Sequence, residues 1–262
     1  MLKEQTVRLA FFIGSLLIIA IWEIIAPRRQ LTESKPRRWS INLFLVLFNT
    51  AVVRFFLPIL PVGMALVFQK RGLGILNILV LPDWLKIVTA VLVLDLVIYL
   101  QHVLFHSLPT LWRLHRVHHV DLDIDVTTGN RFHPLEIIIS TGVKLAAVAL
   151  LGPSVISVIV FEVILNASAQ FNHGNIRIPE SFDRFLRLFV VTPDMHRVHH
   201  SVIIRETNSN FGFNVPWWDR LLGTYRAQPE RGHQGMTIGL NEYRDLAKLS
   251  LGRLLLLPFM KK

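Results

Sequence analysis

The chain has 262 residues, of which 52% are hydrophobic, and a mean hydropathy of +0.46, which is too apolar for an ordinary soluble domain of this length. Its formal net charge is +10, but basic runs at 27–29 and 35–38 border apolar segments, so we expect a cytoplasmic, lipid-facing surface and no nucleic-acid partner. Because cysteine is absent, disulfides, thiolate ligands, iron–sulfur clusters and cysteine nucleophiles are excluded, and any metal must have histidine or oxygen ligands.

Five apolar segments are long enough to cross a bilayer, which takes about 20 residues per helix. The first is expected to be retained, because the basic run at 27–29 follows it rather than a small-residue cleavage site. The last two come from one apolar run, 135–172, which Gly152-Pro153 divides into a helical hairpin. The sequence thus predicts an all-α integral membrane helical bundle, a single domain over 1–262, with transmembrane segments near 9–26, 41–60, 84–106, 135–151 and 154–172.

The remaining residues are expected to form a histidine-rich cap at one membrane face. The cap comprises 107–133 and 173–262, since the hairpin returns both ends to one side, and residues 61–83 are expected to form a re-entrant or interfacial connection. The first loop, 27–40, carries five cations, whereas the segment between the second and third crossings carries Lys70 and Arg71. The positive-inside rule therefore predicts that the cap and its histidines are cytoplasmic.

Ten of the eleven histidines lie between His102 and His200. The pentapeptide His-Arg-Val-His-His occurs at 115–119 and at 196–200, and a His102-x-x-x-His106 pair precedes the first copy. Imidazoles at i, i+3 and i+4 share a helix face, so each copy is expected to direct three ligands to a common point. These eight histidines exceed the four to six ligands of one first-row ion and therefore predict two ions, but imidazole suits zinc, copper, iron and nickel alike.

Two polar stripes run along apolar helices and end in histidine at the same predicted membrane face. Ionisable groups inside apolar helices usually face a functional interior. We expect the stripes to face each other, with Asp95 and Glu162 supporting the metal site or lining a substrate channel; the alternative is that both only hydrogen-bond neighbouring helices. The stripes are Asp95, Tyr99, His102 and His106, and Glu162, Asn166, Gln170 and His173.

An ordered set of motifs over about 95–226 resembles the fatty acid hydroxylase superfamily, which includes sterol desaturases, sphingolipid hydroxylases and carotenoid hydroxylases. The motifs are the His102/His106 pair, the two pentapeptides with Thr192-Pro-Asp-Met before the second, Arg131-Phe-His133-Pro134-x-Glu136, Phe171-Asn-His173-Gly-Asn175, Asn210-Phe-Gly212 and Trp218-Asp219-Arg220-Leu-Leu-Gly223-Thr224-Tyr225.

The resemblance implies a centre of two iron ions that activates dioxygen to attack an unactivated carbon–hydrogen bond of a lipid, as a hydroxylase or desaturase. His133 is expected either to bind metal or to support a ligand, and Asp194 and Glu136 to orient ligand imidazoles through their second ring nitrogen. Trp218 and Asp219 are expected to brace the cap. The ligands that the resemblance implies are His102, His106, His115, His118, His119, His196, His199 and His200, with His173 as a ninth.

The partners expected are a lipid from the bilayer and an external electron donor protein, because no Gly-x-Gly-x-x-Gly fingerprint follows a strand pattern. One alternative is a membrane zinc hydrolase, but Arg116 or Arg197 stands where a His-Glu-x-x-His motif has its glutamate. A second is a haem-binding electron carrier, which needs far fewer histidines.

Overall fold

The protein is all-helical in a computed structural model that describes residues 2–245 and 249–260. Within these ranges the only pairings of β type are the isolated bridges Pro27–Ile176 and Ser201–Ile238. The α-helices are α1 (Leu2–Ile25), α2 (Lys35–Phe56), α3 (Pro61–Arg71), α4 (Ile75–Ile78), α5 (Asp83–Ser107), α6 (Pro109–His119), α7 (Pro134–Leu151), α8 (Val155–Asn172), α9 (Glu180–Leu186), α10 (Pro193–His199), α11 (Ile204–Thr207), α12 (Trp217–Leu221), α13 (Gly232–Gly235) and α14 (Leu251–Leu256). Single 3-10 turns span Thr128–Asn130, Asn241–Tyr243 and Leu257–Phe259.

Among the described residues, five stretches are long and apolar enough to cross a bilayer. They are α1, the stretch Lys35–Ile78 that holds α2 to α4, α5, α7 and α8. Helix α2 begins at Lys35, ahead of the predicted 41–60 segment, since Pro36 fits a first helical turn and the basic run joins the helix. It ends at Phe56, before Pro58, because proline cannot continue a helix.

The hairpin between α7 and α8 is a tight turn at Gly152. This glycine ends α7 in the left-handed conformation, with φ +62°, and a Cβ there would lie 2.4 Å from the Leu73 carbonyl oxygen. Only glycine suits such a position. The Ser154 hydroxyl then accepts a hydrogen bond from the Ser157 backbone N–H at 3.1 Å and caps α8. The cap ends of α7 and α8, Pro134 and Asn172, therefore lie on the same side.

Helices α3, α5, α7 and α8, together with α4, enclose one apolar core. The connection predicted over 61–83 is thus largely helical, and α3 packs on both arms of the hairpin. Helix α1 packs along α8. The core residues are Val62, Ala65, Leu76, Ala90, Leu94, Ile98, Val148, Leu151, Val158 and Phe161.

A buried ion network joins α2 to the cap. Arg38 is 1% exposed, and its Nε and Nη1 donate to Asp121 at 3.0 Å and Asp125 at 2.5 Å. Burial alone would raise the pKa of Asp121, but Arg38 and Arg131 outweigh it and lower this pKa to about 2. The expectation of a lipid-facing basic surface is wrong for Arg38, because its charge is used to hold the cap.

Candidate metal centre

The cap ends of α5 and α8, together with the short helices α6 and α10, bring nine histidines together in two groups. Within each group, one ring nitrogen from every histidine lies within 4.8 Å of the others. All nine are buried except His106, which is half-buried. The groups adjoin, since the rings of His119 and His200, one from each, stack with centroids 4.6 Å apart. The first group is His102, His106, His115, His119 and His199, and the second is His118, His173, His196 and His200.

Each pentapeptide contributes to both groups, so the expectation that a copy serves one common point is wrong. His115 and His119 join the first group, whereas His118 joins the second. The second copy does the reverse, with His199 in the first group and His196 and His200 in the second. Residues four apart are separated by about 40° around a helix, whereas the residue at i+3 is displaced by about 60° in the opposite direction, so the three share a broad face but not one line. The histidines of each pentapeptide, at α6 and at α10, are therefore divided between the two groups.

Hydrogen bonds from Nδ1 to backbone carbonyls or to Glu136 orient four of the rings. The Nδ1 atoms of His102, His199 and His173 donate to the backbone carbonyls of Phe211, Ser209 and Ala169, at 2.8, 2.8 and 2.6 Å. His115 Nδ1 donates to Glu136 Oε1 at 2.6 Å, as expected for Glu136 from the sequence. An imidazole that donates through Nδ1 keeps the lone pair on Nε2, which is the arrangement of a metal ligand.

The remaining nitrogen atoms fit a metal site. Seven buried histidine nitrogens in these groups have no hydrogen-bond partner among the described residues, although buried polar atoms are normally satisfied. They are His106 Nε2, His118 Nδ1, His119 Nε2, His196 Nδ1, His199 Nε2 and both nitrogens of His200. In the second group His173 Nε2 lies 3.1 Å from both His118 Nε2 and His196 Nε2. Imidazole nitrogens that converge in this way could hold a metal ion between them.

Burial keeps these imidazoles in the form that binds metal. It lowers the pKa of His115 and of His173 to about 3. It also lowers the pKa of His118, His119 and His200 well below the ordinary value, and the neighbouring imidazoles lower them further. Each ring is therefore neutral at physiological pH, with a lone pair free for coordination.

Two other predicted residues lie outside both groups. His133 caps α7: its Nδ1 accepts from the Leu135 backbone N–H at 3.2 Å, and its Nε2 contacts the Leu255 carbonyl at 3.1 Å. Asp194, expected to orient an imidazole, instead accepts from Arg28 Nε at 3.0 Å and pairs with Arg197. Burial opposes this pairing, but the two arginines prevail and lower the pKa of Asp194 to about 2.

The two carboxylates of the polar stripes also have partners other than the grouped imidazoles. Asp95 accepts from Trp218 Nε1 at 2.8 Å and from the Asn214 backbone N–H at 3.3 Å. Glu162 pairs with Arg8 at 2.8 Å and with Lys144 at 3.5 Å. Glu162 therefore links α8 to α1 and α7, as in the alternative that it only bonds neighbouring helices. Asp95 links α5 to the chain around α12.

Sequence reasoning missed the contribution of residues 208–211. Asn208 Oδ1 lies 3.2 Å from His106 Nδ1, and the carbonyls of Ser209 and Phe211 accept from two further rings. Asn210 holds this segment in place at φ +53°, with its side-chain amide bonded to the Met195 carbonyl at 2.8 Å. Backbone carbonyls carry no side-chain signal, and only the Asn210-Phe-Gly212 motif marked this stretch.

A cavity of about 250 Å³ borders the first group. Its wall includes His106, Trp112, Arg116, Asn208 and Tyr243, and the Arg116 guanidinium lies over the Tyr243 ring at 5.8 Å. His106 is the only member of the two groups that lines it. The cavity thus reaches the first histidine group from the side of α6 and α11.

Comparisons with known proteins agree with this arrangement. A family model described as fatty acid hydroxylase matches residues 87–224. The ornithine lipid hydroxylase OlsE of Rhizobium tropici is 28% identical over 148 residues, which cover 56% of this chain and 44% of that protein. Human alkylglycerol monooxygenase is 25% identical over 163 residues, or 60% and 34% of the two chains.

Methylsterol monooxygenase 2-2 of Arabidopsis thaliana is 26% identical over 169 residues, which cover 63% of each chain. This chain thus matches between about a third and two thirds of the length of these three relatives. No solved structure matches it. The matched region, 87–224, contains all nine grouped histidines.

Proposed function

This chain belongs to the fatty acid hydroxylase family, whose model covers just over half of it, and we propose that it is a membrane-bound oxidoreductase with two irons that hydroxylates or desaturates a lipid. The observation that carries the proposal is the convergence of nine imidazoles in two adjoining groups at the cap ends of membrane-length helices. Relatives named as lipid hydroxylases and monooxygenases support it.

The two groups would each hold one iron, the first through five imidazoles and the second through four. The bound irons, with dioxygen as co-substrate, would supply the oxidising power that removes hydrogen from an unactivated carbon–hydrogen bond. The contribution of the chain is to keep the ligand imidazoles neutral, to orient them through Nδ1 bonds such as that from His115 to Glu136, and to exclude water. Burial of eight of the nine rings serves the last purpose.

The composition of the two groups favours this reading over a zinc hydrolase. A metal-dependent hydrolase activates water and needs a base, most often a carboxylate, beside the metal. Neither group contains a carboxylate among the residues described. The nearby carboxylate of Glu136 already accepts the hydrogen bond from His115 Nδ1. The long helices also deliver an apolar substrate laterally from the bilayer, which suits oxidation of a lipid chain.

We further infer that an external protein supplies electrons and that the metal centre lies at the cytoplasmic face. The first inference rests on the lack of a flavin or nicotinamide fingerprint in the sequence. The second rests on the five cations of loop 27–40, counted by the positive-inside rule. Such a donor, if acidic, would be steered to this chain by its net charge of +10.

The test is turnover of lipid by the purified full chain in bilayer discs made from host lipids. The protein is loaded with iron, given a chemical reductant and exposed to isotopically labelled dioxygen, and the lipids are analysed by mass spectrometry. We expect a lipid that gains one labelled oxygen or loses two hydrogens, only when iron and reductant are both present. Hydrolysed lipid that forms with zinc and without reductant would contradict the proposal.

A further inference from the structure

We propose that two short segments of the cap, α9 with its following residues to Val191 and the stretch 211–224 around α12, are embedded in the bilayer beside α5. This inference concerns membrane contact and does not depend on the reaction. Seven of the large apolar side chains that these segments expose are called the aromatic patch: Phe182, Phe185, Leu188, Phe189, Trp217, Leu221 and Leu222.

Three contacts with α5 set the depth of the stretch 211–224. At its start, the Phe211 carbonyl accepts from His102 near the cap end of α5, and the Asn214 backbone N–H then donates to Asp95. At its end, the Thr224 hydroxyl lies 2.8 Å from the Tyr99 hydroxyl. At 1.5 Å per helical residue, Asp95 is about 10 Å deeper along α5 than His102. The chain therefore descends beside a membrane-length helix and returns.

The hydrogen bonds of this stretch satisfy the condition that a bilayer imposes on irregular backbone. Such backbone is tolerated at membrane depth only where protein groups satisfy it. The Asp219 carboxylate accepts from the backbone N–H groups of Phe211 and Gly212 at 2.8 and 2.9 Å and from the Thr224 hydroxyl. Asp95 accepts from Asn214 and Trp218. Two buried carboxylates thus serve as hydrogen-bond acceptors for the descending turn.

The helices α9 and α12 are tied into one unit. Trp217 Nε1 donates to the Leu188 carbonyl at 2.7 Å, and the Val191 backbone N–H donates to the Asn214 carbonyl at 3.0 Å. The outer face of this unit is the aromatic patch, whose side chains are between 39% and 73% exposed. A cluster of large apolar side chains exposed together marks contact with a membrane or a protein.

Lipid is the occupant that the depth and the charges favour. The unit lies beside α5, a helix long and apolar enough to cross a bilayer. Two exposed arginines, Arg184 and Arg220, flank the apolar side chains, and aromatic residues with arginine at their edge are typical of a membrane interface with anionic headgroups. A second copy of the chain or another protein would have to displace lipid at that depth.

The chain contains no cysteine, so single spin labels can be placed without further changes. Phe185→Cys and Leu221→Cys place a label on each helix of the patch. Leu47→Cys, at a 71% exposed position on α2, is the lipid control, and Arg205→Cys, at a side chain 61% exposed and paired with Glu230, is the water control. The labelled full chain is reconstituted in phosphatidylcholine and phosphatidylglycerol vesicles, at metal content equal to that of the unlabelled protein.

The readout is collision of each label with oxygen, which partitions into lipid, and with a nickel chelate, which stays in water. We expect both patch labels to match Leu47→Cys, with an oxygen-to-chelate ratio several-fold above that of Arg205→Cys. A patch label as accessible to the chelate as Arg205→Cys would overturn the proposal. A patch label shielded from both reagents would overturn it too, since a protein would then cover the patch. Because no turnover is measured, these outcomes are independent of the proposed reaction.

Discussion

Replacing Glu136 with glutamine is expected to weaken metal binding without removing any imidazole. Glu136 and His115 are 4% and 2% exposed, and their 2.6 Å bond is the only Nδ1 bond to a carboxylate found among the grouped histidines of the described chain. Charge-assisted bonds are roughly twice as strong as neutral ones, and loss of such a support costs about 10- to 100-fold in metal affinity. Glutamine still offers an acceptor, so we expect about tenfold, or about 1.4 kcal/mol.

Glu136→Ala leaves the His115 Nδ1–H buried without an acceptor and is expected to cost about 100-fold. The assay is competition with a chelator, followed by metal quantification. Since His115 belongs to the first group alone, one of the two ions should be lost at lower chelator concentration and the other as in the parent. Glu180→Gln, at an exposed glutamate that begins α9, is the matched control. Parent-like affinity in both Glu136 variants would refute the reasoning.

The other predictions address the two groups and the buried carboxylates. His118→Ala and His199→Ala, one from each group, should each bind one ion fewer and lose activity while still inserting in membranes. The control His233→Ala lies outside both groups and should bind as much metal as the parent. Equal metal contents in all three variants would contradict the grouping. Asp95→Asn removes a charged acceptor and should cost about 1–3 kcal/mol, seen as a lower melting temperature, with activity reduced less than by the histidine changes. The pKa of Asp121 is lowered from 3.8 to about 2, so its pairing stabilises the fold above pH 3.8, and about 2 kcal/mol of this stability is lost as the pH falls through 2. The denaturant midpoints of the parent and of Asp121→Asn should therefore converge as the pH approaches 2. A difference between the midpoints that stays constant with pH would disprove this prediction.

The helical bundle and the assembly of its histidines could be anticipated because their signals are local. Hydropathy indicates the long helices, and Gly152-Pro153 indicates the hairpin that returns both histidine-bearing ends to one side. The predicted starts and ends are less accurate, as at α2, where Lys35 to Arg38 are polar yet helical. Hydropathy alone cannot predict that this polar first turn is helical, because Arg38 is buried there by its ion pairs with Asp121 and Asp125 of a loop distant in sequence.

The division of each pentapeptide between two groups could not be read from spacing. Spacing gives the angle of His115, His118 and His119 around one helix, but the position of an ion depends on the facing helix as well. The Nδ1 acceptors were equally hidden, since the backbone carbonyls of Ser209 and Phe211 have no sequence signature. Asp194 was a reasonable candidate by its place two residues before His196, yet its partners are Arg28, Arg197 and His233, and none of these belongs to the two histidine groups.

The stretch 211–224 shows the same limit of sequence patterns. Its residues are mixed in polarity and its helix α12 has five residues, so no periodicity indicates that it lies against α5. The intramembrane carboxylate Asp95 is the visible sign of it. An acidic side chain within an apolar helix usually has a partner, and here that partner is the backbone of a distant turn together with Trp218.

The two adjoining histidine groups are tested most directly by the metal content of the purified chain. Protein expressed with iron, purified without oxygen and without chelators, is quantified for metal per chain, and its iron is examined by Mössbauer spectroscopy. The proposed function predicts two irons per chain in two different nitrogen-rich environments, because one group has five imidazoles and the other four. Binding of no more than one ion per chain would contradict the two-group account. So would the binding of two ions with unchanged affinity after His106→Ala and His119→Ala together disrupt the first group.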